Sequence, residues 1–408
     1  MGGGAHGGAA KGALSLCEAE RKMGIDSRVL IELEREGKSG TEHLTASRNG
    51  RLGQLRSELV ARVSQLPTKL YRRKHTSLFS TGLLGGNWTR LNTFRNADLI
   101  HLHWTVGLVS LDDLRHLDKP TVWTLRDMWP MTGGCHYSLG CVRYQTTCGA
   151  CPQLGSTRET DLSHALFRLK QKWMPDQVHV VGISNWITDC ARSSAIFSGS
   201  AVQTIHNGID TSLFFPEDKR AARTSFGLPK DKKIVLLGAL NVRDFYKGFD
   251  LFAEAWDMLD RSHVHLAVFG NESEKVAAQL GPRATSLSLL KDSSELRRAY
   301  SSADVFVAPS TEEAFGKTLA EAQACGLPVV CFDATGPRDI VEDGVTGVKA
   351  LAFQTQSMAQ GIQSVLGLPA SEYLAMQKAA RVRAVSLFDI SVAARKYKNL
   401  YESILSTY

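Results

Sequence analysis

The sequence predicts an α/β protein built from two doubly wound domains, each on a parallel sheet. Three observations point there. The chain has 408 residues, a length suited to two cores rather than one. Apolar strand-like runs alternate with helical patterns in two separate blocks. And one strand, Asp304-Val-Phe-Val-Ala-Pro-Ser310, runs directly into a loop and helix over residues 313–328 whose residue types suit a bound nucleotide.

In the first block the strand-like runs are 27–33, 97–104, 121–125 and 178–184. In the second they are 233–240, 264–270, 304–307 and 328–332, with helical patterns over 248–259, 293–302 and 316–323. The blocks meet in Val202-Gln-Thr-Ile-His-Asn-Gly-Ile-Asp210 and the residues after it, where Asn207-Gly is a turn signal. The domains are therefore expected at 1–202 and 203–390, with a final helix over about 391–408 packing back on the first. No internal repeat or long low-complexity run is present.

Composition narrows the class. At 43% hydrophobic and 22% charged residues it is that of an ordinary water-soluble chain. No run approaches the ~20 apolar residues of a membrane-spanning helix, and Met1-Gly-Gly-Gly-Ala-His-Gly-Gly has no apolar segment of a signal peptide. A cytoplasmic location follows, in which the eight cysteines are thiols or metal ligands rather than disulfides. Part of the net charge of +7 is concentrated in Lys69, Arg72, Arg73 and Lys74, which lie among Leu70, Tyr71, Leu78 and Phe79. Cations mixed with aliphatic and aromatic residues suit an anionic membrane face; a plain solvated loop has the same composition. Nucleic acid is not expected as a partner, because no recognition module is present.

The segment Glu313-Ala-Phe-Gly-Lys-Thr-Leu-Ala-Glu-Ala-Gln-Ala-Cys-Gly-Leu-Pro328 carries the chemistry. A helix starting near Gly316 turns the amides of Phe315, Gly316 and Lys317 outward at its N-terminus, where free N–H groups and the positive dipole end favour a diphosphate. Glu321, further into the helix, can accept two hydrogen bonds from a ribose. Glu313, on the loop before it, faces whatever the diphosphate carries. A carboxylate for ribose, amides for phosphate and a carboxylate for a polyol together suit a nucleotide sugar. Two unrelated glutamates on a surface helix are the plainer alternative.

With Pro-Ser at the strand end, Phe-Gly at the turn and Ala-Cys-Gly-Leu-Pro-Val-Val after the helix, this segment resembles the E-x7-E signature of retaining glycosyltransferases of the two-domain GT-B fold. Together with the two-block layout and Asn207-Gly-Ile-Asp210, it identifies the chain as similar to glycosyltransferase family 4 over nearly its whole length. The stretch Thr124-Leu-Arg-Asp-Met-Trp-Pro-Met-Thr-Gly-Gly-Cys-His-Tyr137 is similar to cytoplasmic enzymes that build bacterial capsule, O-antigen and colanic-acid-type polysaccharides. The resemblance implies two Rossmann-like domains facing a central cleft. It also implies retaining, metal-independent transfer of a sugar from a UDP- or GDP-sugar to a saccharide acceptor, expected to be lipid-linked, with the basic-aromatic segment around Lys69–Lys74 holding the protein at the inner face of the plasma membrane.

On this resemblance Lys247, in Tyr246-Lys-Gly-Phe-Asp250, matches the Lys-Gly motif that steadies the leaving phosphate; alone it would read as a solvated lysine. The arginine expected six residues earlier is replaced by Asn241, leaving Arg243 to reach the phosphate. Relatives carry His-Asp where this chain has Arg126-Asp127. An arginine is no base, but Arg126 can bond a sugar hydroxyl or carboxylate. Asp127 reads either as catalytic or as a turn residue. His206 and Asn207 are implied as nucleotide contacts. Gly7 and Gly8 supply the first domain's Gly-Gly loop, yet the apolar strand that precedes it in relatives is not seen before it: either the chain begins at an internal start or the strand has been lost, and losing a central strand leaves neighbouring backbone groups without partners. His101 and His103, two apart in one strand, point to one face and read as packing or cleft-lining residues. Glu342 reads as structural.

Cys135, Cys141, Cys148 and Cys151 fall within a short stretch, the last two as C-x-x-C. Four thiolates suit a structural zinc, with His136 as a substitute ligand; unligated thiols are the alternative. Two other functions remain open. One is a zinc-stabilised, catalytically degenerate nucleotide-sugar-binding protein of the same fold. The other is a dinucleotide-dependent oxidoreductase, disfavoured because no G-x-G-x-x-G follows a strand.

Overall fold

A computed structural model describes residues 8–31, 43–45, 59–60, 62–71, 79–85, 88, 91–175, 177–290 and 292–408. The chain divides into two compact units: Met1–His206 together with Ala393–Tyr408, and Asn207–Val392.

The first unit carries two parallel sheets. β1 (Val29–Ile31) pairs with β2 (His43–Thr45). β3 (Ile100–His103), β4 (Thr121–Leu125), β5 (Val178–Gly182) and β6 (Ala201–Thr204) form the other, in that order. Every residue of β4 is buried, as expected of a central parallel strand covered on both faces. The division into two sheets falls between β1 and β3, the place that the first strand occupies in a 3-2-1-4-5-6 doubly wound order. The helix Gly8–Lys22, where the described residues begin, touches both β1 and β3.

The final helix, Ile390–Leu405, delivers two tyrosines to the first unit. The Tyr397 and Thr124 hydroxyls lie 2.8 Å apart. Tyr401 donates to Glu20 at 2.7 Å and lies 2.6 Å from His101 Nδ1, whose Nε2 is 2.7 Å from Thr124 Oγ1. Burial holds the pKa of Glu20 up and those of His101 and His103 well below the usual imidazole range. Both histidines are thus neutral members of a packed polar chain, the structural role that their alternation suggested.

The second unit is one six-stranded parallel sheet in the order β12-β11-β10-β7-β8-β9. Its strands are β7 (Lys233–Asn241), β8 (Val264–Asn271), β9 (Ala284–Ser286), β10 (Val305–Ala308), β11 (Val329–Phe332) and β12 (Gly347–Ala350). Phe252, Trp256, Leu266, Val305, Val330, Met358 and Ile362 fill its core and are fully buried. Asp304 ties the sheet's entry: its carboxylate accepts from Arg223 and from the amide of Ile234, each at 2.6 Å, and from Lys219 at 3.0 Å. The strands that sequence patterning overlooked (β2, β6, β9, β12) are three or four residues long. β6, β9 and β12 are only partly buried and lack the continuous apolar run that marks the equally short β10 and β11.

Candidate active site

β7 and β10 are neighbours in the sheet but not in sequence, so their carboxyl ends form the topological switch point where ligands of doubly wound sheets bind. A small pocket opens there, lined by Gly238, Ala239, Pro309, Ser310, Lys247 and Glu313 among others, and it encloses only about 20 Å³.

Backbone geometry brings Lys247 to it. The lysine ends the 3-10 turn Phe245–Lys247, and Gly248 follows with φ 69°. A Cβ on Gly248 would stand 1.9 Å from the carbonyl oxygen of Pro309, so only glycine lets the loop lie this close to the end of β10. The amide of Thr311 then donates to the carbonyl of Tyr246 at 2.9 Å. Held this way, Lys247 Nζ donates to Glu313 Oε2, the two side chains being 21% and 20% exposed.

The helix after the loop is Lys317–Ala324, with Gly316 as its N-cap at φ 101°. Its first amides, those of Lys317 and Thr318, have no intrahelical acceptor by helix geometry, and Thr318 lines the pocket. Phe315 contributes backbone only: its ring is buried against Phe388, centroids 5.6 Å apart. Glu321 is buried, accepts from the Tyr300 hydroxyl at 3.1 Å and lies 3.5 Å from Lys317 Nζ. Burial and the Glu321 charge raise the Tyr300 pKa far above the usual phenol value, so Tyr300 stays a donor. Tyr300 had no signal in the sequence, because a tyrosine in an amphipathic helix reads as core.

Asn241, at the position of the missing arginine, is tied into the loop. It donates to Asp244 at 3.3 Å and accepts from Asn271 at 2.8 Å. Arg243 is exposed, with its guanidinium 5.4 Å from the ring centre of Phe249, which also lines the pocket.

In the first unit Arg126 packs beside Gly12, where a Cβ would stand 2.8 Å from the guanidinium. It lies 3.4 Å from His103 Nδ1, and desolvation lowers its pKa. Asp127 is buried and has both oxygens engaged: Oδ1 accepts from the amide of Trp129 at 2.9 Å, and Oδ2 lies 2.6 Å from His136 Nδ1. His136 is fully buried, with Nε2 3.0 Å from Ser80 Oγ. The turn-residue reading of Asp127 thus describes its contacts, and its effect on a substrate would pass through the loop that it holds. Lys170 secures the same loop from below, donating to the carbonyls of Trp129 and Thr132 with Nζ 3.6 Å from the Trp129 ring centre. A lysine at the buried stripe of Ser163, Leu166, Phe167 and Lys170 was legible as an anomaly of helical period. Gly7 lies outside the described residues; Gly8 is exposed at the start of its helix. Asn207 is buried at the start of the second unit, and Glu342 accepts from Arg383 at 3.0 Å.

The four clustered cysteines line one small pocket with Phe79, Gly133 and Ser163. The tetrathiolate zinc shell expected there is not formed: among the described residues no three His, Cys, Asp or Glu side chains group to hold a metal ion. Burial raises the pKa of Cys135 and Cys151 and pushes Cys148 up to about 12, so without a metal they stand as thiols. Residues 72–78 of the basic segment lie outside the described residues, while Leu59, Val63, Leu66 and Leu70 before them are 62%, 40%, 52% and 86% exposed. Among the described residues no helix is long and apolar enough to cross a membrane.

Two α/β units with all-parallel sheets, one presenting a lysine and a glutamate beside a helix N-terminus at its switch point, define the GT-B class of fold. A family model described as Glycosyltransferase Family 4 matches residues 6–213, and one described as Glycosyl transferases group 1 matches residues 231–367. The chain belongs to glycosyltransferase family 4. It is 32% identical over 197 residues to the D-inositol 3-phosphate glycosyltransferase of Mycolicibacterium paratuberculosis, covering 45% of this chain and 44% of that one. To the Mycobacterium tuberculosis protein of the same name it is 27% identical over 329 residues, covering 76% and 61%. The chain thus spans less than two thirds of the length of these relatives. Among solved structures, sucrose-phosphate synthase from Thermosynechococcus elongatus superimposes with a TM-score of 0.69 at 20% identity, over 100% of this chain and 96% of that one. Anabaena HepE in complex with UDP-glucose gives 0.62 at 20% identity, over 99% and 98%. These two likenesses establish the fold.

Proposed function

We propose that the protein is a retaining glycosyltransferase that moves a sugar from a nucleoside-diphosphate sugar to a saccharide acceptor without a catalytic metal. The observation that carries this is the meeting of Lys247, Glu313 and the N-terminus of helix Lys317–Ala324 at the switch point of β7 and β10. Breaking the bond to the anomeric carbon puts negative charge on the leaving phosphate. Donors already in position stabilise that charge without reorganising: the ammonium of Lys247 on one side and the helix amides on the other, with Arg243 at the rim. Glu313 takes the sugar hydroxyls and Glu321, steadied by Tyr300, the ribose; Asn207 is assigned to the nucleotide. Arg126 is assigned to a sugar hydroxyl or carboxylate, and Asp127 to holding Arg126's loop through Trp129. The complex of HepE with UDP-glucose supports a UDP-sugar as the first donor to try.

The acceptor is assigned as a lipid-linked saccharide of bacterial surface polysaccharide synthesis, met at the inner face of the plasma membrane. The exposed stripe Leu59, Val63, Leu66 and Leu70, flanked by Arg62 and Lys69, supports this, since aliphatic residues with cations suit an anionic bilayer. Incubation with UDP-, GDP- and ADP-sugars, followed by NMR of the product's anomeric configuration in buffer with a chelator, tests the reading. Sugar release with retained configuration supports it. Binding without turnover favours a degenerate binding protein instead, and inverted product or loss of activity on chelation refutes the mechanism.

A further inference from the structure

The pocket at the switch point is lined by a charged pair that a donor would have to meet. Lys247 and Glu313 both line it and are paired with each other, and the pocket holds about 20 Å³. Both are held by backbone: Lys247 by the close approach of Gly248 to Pro309 and the bond from Thr311 to Tyr246, Glu313 by its own amide donating to Thr335 Oγ1 at 3.3 Å and its carbonyl accepting from the Gly336 amide at 2.9 Å. Their backbones are thus held in place, and a ligand that enters the pocket meets the two charged groups as a pair.

That exchange has different outcomes for two molecules that the reaction must tell apart. A nucleoside diphosphate, the product left after transfer, competes with Glu313 for the ammonium of Lys247 and can draw it away. It then leaves the Glu313 carboxylate four-fifths buried, with no cation and beside an incoming polyanion; stranding a buried charge and facing it with a like charge both disfavour binding. A nucleoside-diphosphate sugar takes the same ammonium but brings hydroxyl donors to Glu313 at the same moment, so both halves of the broken pair are satisfied. Resting on the glycosyltransferase reading above, we propose that Glu313 is a specificity-determining residue: through its ion pair with Lys247 it makes the site favour the intact nucleotide sugar over the free nucleoside diphosphate, and so speeds product release.

The test is calorimetric titration of UDP, GDP and ADP, and of UDP-glucose, GDP-mannose and ADP-glucose, into the wild-type chain and the variants Glu313→Gln, Lys247→Met and the double variant. Glu313→Gln keeps the side chain's shape and removes its charge. For whichever base binds, this variant should tighten the free diphosphate by about tenfold, the size expected when a stranded buried charge is removed, while weakening the nucleotide sugar. In the Lys247→Met background the same change should give no gain, which separates pair-breaking from a general gain in positive potential. Equal or weaker diphosphate binding in Glu313→Gln, or an equal gain without the lysine, overturns the proposal while leaving the transferase reading intact. Wild-type protein that binds none of the six ligands at millimolar concentration overturns both.

Discussion

Lys170 makes a sharp claim about stability. Its ammonium is fully buried, and desolvation lowers its pKa from 10.5 to about 7. In the unfolded chain the group keeps the higher value, so between pH 7 and 10.5 the unfolded state binds the extra proton and stability must rise with pH. Below pH 7 both states are protonated and the dependence flattens. Integrating the single-site linkage from pH 7 to pH 9 gives a gain of about 2 kcal/mol, with a limiting slope of about 1.4 kcal/mol per pH unit. The perturbation is Lys170→Met, which keeps most of the apolar volume and removes the titration. It also strips a donor from the carbonyls of Trp129 and Thr132, so the variant should be less stable throughout; the informative quantity is the difference in pH slope. Urea unfolding of the first unit, followed by tryptophan fluorescence at half-unit intervals from pH 6.5 to 9.5, measures it. Parallel slopes in wild type and variant would refute the reasoning, because they would mean that the two carbonyls and the Trp129 face offset the desolvation that lowers the pKa.

Three further outcomes follow from the geometry. Lys247→Ala should lower turnover by at least about 100-fold, as loss of a preorganised donor to a leaving group does, with a melting temperature within a few degrees of wild type, read by steady-state kinetics and calorimetry. Gly248→Ala should destabilise the second unit by roughly 1–3 kcal/mol and abolish turnover, because the methyl meets the carbonyl of Pro309 and pushes the lysine loop off β10; unchanged denaturant midpoint and activity would contradict the close approach. Leu66→Asp with Leu70→Asp should abolish co-sedimentation with vesicles containing anionic lipid and leave donor hydrolysis in solution unchanged, since both leucines are exposed and touch no part of the pocket.

The switch-point site was largely readable from the sequence because its parts are local. Strand, loop and helix over 304–324 are contiguous, and an N-terminus offers its amides wherever a helix starts, so Glu313, Gly316, Lys317 and Glu321 stand close to where expected. Phe315 differs in that its ring serves the core. The first unit was less readable. Asp127 looks like a catalytic acid after a strand, but whether its oxygens face a substrate or His136 depends on residue 136 and on Ser80, 47 positions upstream of Asp127 (127 − 80). The cysteine spacing suggested a metal shell, yet spacing does not fix burial, and burial is what raises the thiols' pKa.

Sequence alone determined the class of fold and the strand, loop and helix over 304–324, because periodicity and helix-end chemistry act over a few residues. The tertiary structure alone decided that Lys247 meets Glu313, that Tyr300 braces Glu321, and that Lys170 and His136 support the Arg126–Asp127 loop. Those pairings join residues tens of positions apart through the sheet order and one glycine's close approach, and no local pattern carries that information.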